Sequence, residues 1–206
     1  MVTMAAQVFY EPEKMELESV NVPAPGPDQI LVRVKACGIC GSDVAYYYGQ
    51  SSLETPTGKG PLILGHEFTG EVAEVGAIPE KLGLFQKGDR VVIDPVQYCN
   101  ACEICKRGMP NLCEKKQVLG VSSNGAFAEY CVSHYTGVHK IPANVTYEQA
   151  AMTEPLACAT YGVSKMSIQL GDFAVVLGAG VIGAMMLQLI KSSGAGQVAV
   201  VDTLDY

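Results

Sequence analysis

Four cysteines fall within residues 98–113, YCNACEICKRGMPNLC: Cys99, Cys102, Cys105 and Cys113, spaced C-x2-C-x2-C-x7-C. Structural Zn²⁺ takes four tetrahedral ligands, and thiolates are its commonest partners there. The short steps let one turn of chain bring neighbouring sulfurs to one ion. Gly108 and Pro110 let the longer last gap return to close the tetrahedron. Lys106, Arg107, Lys115 and Lys116 offset the thiolate charge. The rival is an iron–sulfur cluster, since C-x2-C-x2-C also occurs in ferredoxins, there with a shorter last gap beside a proline. Four protein ligands leave no open position, so zinc in this lobe is structural and the chemistry belongs elsewhere.

Two upstream stretches carry the next signal. CGICGSD (37–43) and GHEFTGEVAEVG (65–76) each hold one candidate ligand, Cys40 or His66, beside a carboxylate, Asp43 or Glu67. Taken alone, a histidine at an apolar strand edge is more often a satisfied core residue. His66 is one of only three histidines, and His134 and His139 lack acidic neighbours.

A third signal lies in FAVVLGAGVIGAMMLQLIKSSGAGQVAVVD, residues 173–202. Phe173 to Leu177 reads as a buried parallel strand. Gly178, Gly180 and Gly183 then form G-x-G-x-x-G, with Val181 and Ile182 opening a helix that runs to about Ser193 and ends at Gly194. The first glycine permits the tight turn, the second the approach of a pyrophosphate, the third close packing of helix on strand. Free N–H groups at the helix start face the phosphates. Gln197 to Val201 reads as the second strand. Asp202 follows, about 20 residues past the motif, where a carboxylate accepts from ribose hydroxyls and repels a 2′-phosphate. No Arg follows it, so NAD is favoured over NADP.

As a set and in this order, GICGSD, GHEFTGEV, the four-cysteine lobe, TEPLA and GAGVIG make the sequence resemble the zinc-dependent medium-chain alcohol and polyol dehydrogenases. The likeness runs from near residue 30 to the end of the sequence. It implies that Cys40 and His66 ligate a catalytic zinc, with Glu154 as third ligand, directly or through a water. The Glu154-Pro155 pair points to the sorbitol dehydrogenase-like branch. It implies that Asp43 orients His66, that Glu67 sits just behind the metal and can swing toward it in some members, and that Ser42 takes the proton of the substrate hydroxyl. Many members carry a relay His where this sequence has Ala45, so the proton must leave by another path. Cys158 aligns near the nicotinamide and not with a ligand. Tyr46 is equally readable as a substrate contact or as packing.

The elements that must position these groups follow from the pattern. Short strands separated by Gly/Pro turns over residues 7–35, then EFTGEVAEVG, DRVVIDP and AFAEYCV, predict a partly open β-barrel, which the resemblance calls GroES-like. SSLETPTGKGP and AIPEKLGLFQK read as exposed loops. TYEQAAMTEPLACATYGVSKM reads as helical with a break at Pro155, joining two domains. The expected fold is mixed α and β: a GroES-like zinc-binding catalytic domain over residues 1–155, then the start of a Rossmann doubly wound domain over 156–206. A doubly wound sheet needs more βα units than follow, so the sequence reads as truncated within its cofactor domain.

Bulk properties narrow the function classes. With 206 residues and 49% apolar content, the chain can bury a core. A net charge of −7 without a basic block argues against nucleic acid or an anionic membrane surface. The apolar stretch 173–187 is broken by glycines and falls short of the roughly 20 residues of a membrane span. Eight cysteines without an export signal fit reduced thiols in the cytoplasm. The expected activity is hydride transfer between a secondary alcohol or polyol and NAD, assisted by zinc, with a small molecule as partner and a homo-oligomer when full length. Two alternatives are a zinc-binding fragment without catalysis and a zinc-lobe interaction module. The second leaves Cys40, His66 and Glu154 unexplained.

Overall fold

The computed structural model describes residues 2–51 and 60–204. The loop expected over 51–61 lies mostly outside the described residues. The chain divides into two compact units, Met1–Ala151 and Met152–Tyr206.

The first unit runs β1 (Thr3–Glu11), β2 (Lys14–Asn21), β3 (Gln29–Gly38), α1 (Gly41–Tyr47), β4 (Leu62–Ile63), β5 (Glu67–Val75) and α2 (Ala77–Lys81). It continues through β6 (Arg90–Ile93), β7 (Val96–Gln97), α3 (Glu103–Lys106), β8 (Gln117–Val118), β9 (Tyr130–His134), β10 (Val138–Lys140) and α4 (Tyr147–Ala151). Five strands form one antiparallel sheet in the order β10-β6-β5-β3-β9, three form a second in the order β2-β1-β4, and β7 pairs with β8.

Strand periodicity explains the core. Successive side chains on a strand point to opposite faces. Ile30 and Val32 of β3, Phe68 and Val72 of β5, and Val91 and Ile93 of β6 share one face and are buried together. Each such side chain contributes about 1.5–3 kcal/mol of burial. The β3–β5 register shifts between Leu31 and Val32 and again between Val34 and Ala36. Such irregularities increase local twist, and they curl the sheet around its buried face. In the smaller sheet, Met4, Ala6 and Val8 bury one face of β1 with Ile63, while Phe9 packs on the other with Leu62 and Leu64.

The chain after β10 is pinned to the sheet by polar contacts. Arg90 donates from its guanidinium to the carbonyls of Pro142 at 3.3 Å and Ala143 at 3.1 Å. Its guanidinium also lies 4.6 Å from the centre of the Tyr147 ring. The Tyr147 hydroxyl donates to Glu71 Oε1 at 2.7 Å, and Lys35 Nζ lies 3.2 Å from Glu71 Oε2.

Two local expectations need correcting. The segment 77–87 is not all loop, because Ala77–Lys81 forms the one-turn helix α2. Pro79 is buried in that first turn, where a missing N–H costs no hydrogen bond. The helical segment 146–166 breaks at Met152 and not at Pro155. Pro155 instead sits in the first turn of the next helix, a position open to proline for the same reason.

The second unit comprises α5 (Thr153–Ser164), β11 (Phe173–Leu177), α6 (Val181–Ser192) and β12 (Gln197–Val201). β11 and β12 pair in parallel, Phe173 opposite Gln197 through Leu177 opposite Val201. Val163, Val176, Ile190 and Ala195 form the buried cluster, with Ala174 packed against it. Ser193 caps α6, and Gly194 follows at φ +108°, the left-handed residue that commonly ends a helix. β11 is buried on one face only: Phe173 is 64% and Leu177 82% exposed, and Val175 between them is exposed as well. A single crossover helix covers one side of a parallel pair, and the expectation of a fully buried strand needed a layer on both. No helix among the described residues is long and apolar enough to cross a membrane.

Candidate active site and metal centres

The four lobe cysteines are brought together by short elements. α3 starts at Cys102 and carries Cys105, and a 3₁₀ turn over Pro110–Leu112 leads into the buried Cys113. β7 and β8 close the base of this excursion. All four sulfurs lie within 4.8 Å of one another. Cys113 Sγ is 3.5 Å from Cys99 Sγ and 3.9 Å from Cys102 Sγ. A tetrahedron of bonds of about 2.3 Å to zinc has an edge of about 3.8 Å, so this spacing suits one ion and leaves no room for inorganic sulfide. Backbone N–H groups of Ala101 and Cys102 pull the Cys99 thiol down to about 6, whereas burial and neighbouring sulfurs push Cys105 up to about 12. Four crowded sulfurs cannot all carry charge without a cation, and the donor set fits zinc. None of the eight cysteines is in a disulfide.

The second group of donors is Cys40, His66 and Glu67, whose ligand atoms also lie within 4.8 Å of one another. These are the two groups of three or more potential metal ligands found among the described residues. Cys40 stands at the N-terminus of α1, where Asp43 Oδ2 accepts from its backbone N–H at 2.9 Å. His66 is delivered by Gly65, whose φ of +89° is open to glycine. A side chain at Gly65 would also meet the Phe127 ring, 2.5 Å from Cδ1.

His66 is 8% and Asp43 4% exposed. His66 Nδ1 lies 3.7 Å from Asp43 Oδ1, and both atoms are buried without a hydrogen-bond partner. Burial pushes the Asp43 carboxyl up, opposed by backbone N–H donation from Cys40 and by the neighbouring His66. With Nδ1 turned to a carboxylate, the opposite ring nitrogen is the one left for a metal. Thiolate, imidazole and carboxylate at this spacing fit Zn²⁺.

The other expected residues are distributed as follows. Ser42 lies half-buried in the first turn of α1, between Cys40 and Asp43. Tyr46 packs against the Phe9, Leu62 and Leu64 cluster, and burial, Asp43 and Cys40 raise its hydroxyl pKa. Glu154 belongs to the second unit, in the first turn of α5, with Cys158 Sγ 3.8 Å from its Oε1. In the first unit a Glu67 carboxylate oxygen lies within 4.8 Å of the Cys40 and His66 ligand atoms. That proximity depends on strand register, which local spacing does not carry.

The glycine loop turns tightly into α6 and leaves the helix start open to an acceptor. Gly178 turns at φ +102°, Gly180 caps α6 with no side-chain acceptor, and Val181 and Ile182 are exposed at the helix start. At Gly183 a Cβ would stand 1.9 Å from the Gly178 carbonyl oxygen, so close packing of helix on loop demands glycine. Asp202 Oδ2 accepts from Ala179 N–H at 2.6 Å and Oδ1 from Leu204 N–H at 3.1 Å. Those two N–H groups hold the Asp202 carboxyl below its usual value.

The first unit is a curled antiparallel sheet with two groups of side chains that could each hold a metal ion, and the second is a parallel strand pair joined by a crossover helix. Residues 26–143 match the family model of the alcohol dehydrogenase GroES-like domain. The chain belongs to this family. It is 36% identical over 200 residues to sorbitol dehydrogenase of Bacillus subtilis, covering 97% of this chain and 56% of that protein. Against sorbitol dehydrogenase of Halalkalibacterium halodurans it is 40% identical over 173 residues, 84% of this chain and 48% of the relative. Among solved structures, a zinc-binding dehydrogenase of Sinorhizobium meliloti bound to NADP superposes with a TM-score of 0.85 at 35% identity, over 97% of this chain and 56% of that one. An alcohol dehydrogenase of Escherichia coli CFT073 complexed with NADH gives 0.87 at 33%, over 98% and 58%. The chain thus spans about half the length of the curated relatives it matches.

Proposed function

We propose that this chain carries the zinc-binding catalytic domain and the beginning of the Rossmann cofactor domain of an NAD-dependent dehydrogenase of secondary alcohols or polyols. The observation that carries the reading is the convergence of Cys40, His66 and Glu67, with the buried Asp43 facing the far side of the His66 ring. Cys40 and His66 would hold the catalytic zinc, completed by Glu154 or by Glu67, and the four lobe cysteines would hold the structural one. Bound zinc supplies Lewis acidity that makes an alcohol hydroxyl easier to deprotonate. Ser42 Oγ, two residues after Cys40, receives that proton and passes it outward by a route that does not use residue 45. Asp43 fixes the orientation of the imidazole. Gly178, Gly180, Val181, Ile182 and Gly183 cradle the cofactor pyrophosphate, and Asp202 accepts from the ribose hydroxyls. The reading has a small-molecule alcohol as partner, neither nucleic acid nor membrane, a homo-oligomer as the full-length form, and the cytoplasm as the compartment that keeps these thiols reduced.

A second reading, a zinc-binding polypeptide without turnover, is favoured by the exposed apolar face of β11 beside the cofactor loop. Elemental analysis of the purified chain tests the first reading. Two zinc equivalents, one of them lost in Cys40→Ala, support a catalytic centre built by the first domain. A single equivalent that survives Cys40→Ala would overturn it. Oxidation of polyols with NAD, abolished by His66→Ala, separates an enzyme from an inert metal carrier.

A further inference from the structure

Gly38 and Glu67 stand directly opposite each other in the β3–β5 ladder. Gly38 comes two residues before Cys40, and Glu67 comes immediately after His66. The pair therefore ends the ladder at the point from which both metal donors leave it. The space a side chain would take at Gly38 is filled by Glu67. A Cβ built there would lie 2.3 Å from Glu67 Oε2, 3.2 Å from Glu67 Cβ and 3.4 Å from Glu67 Cδ, and these are its three nearest atoms. Gly38 is not among the residues of positive φ, so its backbone does not demand glycine. The neighbouring carboxylate does. No ion pair among the described residues holds that carboxylate.

We propose that Gly38 is a positioning residue. Its missing side chain lets the Glu67 carboxylate lie across the end of β3 and reach the Cys40–His66 pair, which makes Glu67 a third donor from within the same domain. The inference rests on the reading of a metal at Cys40 and His66. The far end of a flexible side chain moves at little cost to the fold. An alanine at position 38 therefore displaces the Glu67 carboxylate and leaves the domain folded.

The test measures zinc binding by the purified full chain in competition with a chromophoric chelator, with the four-cysteine lobe kept filled as checked by elemental analysis. Gly38→Ala and Glu67→Ala should each weaken the second zinc by a similar factor, roughly 10- to 100-fold. The double variant should bind no more weakly than Glu67→Ala, because the residue through which Gly38 acts is gone. Wild-type or tighter binding by Gly38→Ala, or a loss that adds to that of Glu67→Ala, overturns the inference. Should Gly38→Ala fail to fold, restored folding in the double variant supports it and continued failure overturns it. Cys40→Ala separates the two levels. If it removes the second zinc while Gly38→Ala is silent, only the inference falls; if it leaves zinc content unchanged, the site reading falls and the inference with it.

Discussion

Asp43 ties the segments of Cys40 and His66 to each other: its Oδ2 accepts from the Cys40 backbone N–H at 2.9 Å, and its Oδ1 faces His66 Nδ1 at 3.7 Å. The second separation is longer than a hydrogen bond. Both atoms are nonetheless buried without another partner, a costly arrangement unless a charge on the far side of the ring draws them together. Asp43→Asn keeps the shape and removes the charge. It should weaken the second zinc by about 10- to 100-fold and leave the lobe zinc in place. Chelator competition on the purified variant checks this, and equal affinity would show that Asp43 serves only to cap α1.

The lobe makes the opposite prediction. Cys113 is its buried sulfur, close to both Cys99 and Cys102. Structural zinc contributes folding free energy directly, and the lobe has little apolar core of its own. Cys113→Ser should lose one zinc equivalent and lower the melting temperature, on the order of 10 °C for a loss of several kcal/mol in a chain of this size. Zinc at Cys40 and His66 should remain. Calorimetry paired with elemental analysis reads both changes.

What could be seen before the structure was what spacing alone encodes. The lobe needs only its four cysteines and a turn, and the structure gathers those sulfurs; the β11–α6–β12 unit follows from its glycines and Asp202, and both strands take the expected bounds although β11 is buried on one face only. The place of Glu67 beside Cys40 could not be read in the same way. It comes from pairing Gly38 with Glu67 across two strands and past two register shifts, a long-range fact with no local signature. Helix ends misled for a related reason. Pro155 looked like a breaker, yet the first turn of a helix has no hydrogen bond for proline to remove, and the real interruption is at Met152. In 77–87 the short helix α2 was hidden by flanking glycines that read as loop.

Acid should weaken the contact that pins α4 to the sheet. Donation from the Tyr147 hydroxyl, then Lys35, holds the Glu71 carboxyl below its ordinary value despite some desolvation. The folded chain thus binds this proton less readily than the unfolded chain. The contribution to stability is complete above the ordinary glutamate value of about 4.3 and is lost as pH falls through the lower folded value. Glu71 is about a third exposed, with 35% of its side chain accessible, so solvent screening keeps the effect below about 1 kcal/mol. Between pH of about 5 and about 3 the wild type should lose more melting temperature than Tyr147→Phe, whose Glu71 has no phenol to accept from. Parallel curves for the two proteins would contradict the assignment.

Asp202 offers the sharpest test of the cofactor half. Its Oδ2 is already engaged by the Ala179 N–H inside the glycine loop, and Oδ1 by the Leu204 N–H. The carboxylate therefore braces the glycine loop, and in the proposed cofactor site it would present negative charge to the ribose. Asp202→Asn keeps an acceptor for Ala179 but removes the charge. NAD affinity should drop by about tenfold, since hydrogen bonds to a charged acceptor are stronger than those to a neutral one. NADP should suffer less, because the charge that repels its 2′-phosphate is gone. Equilibrium titration of both cofactors gives the ratio directly. A fall in NAD over NADP preference assigns Asp202 to ribose selection. An equal loss for both would mean that its work is confined to holding Ala179 and the loop.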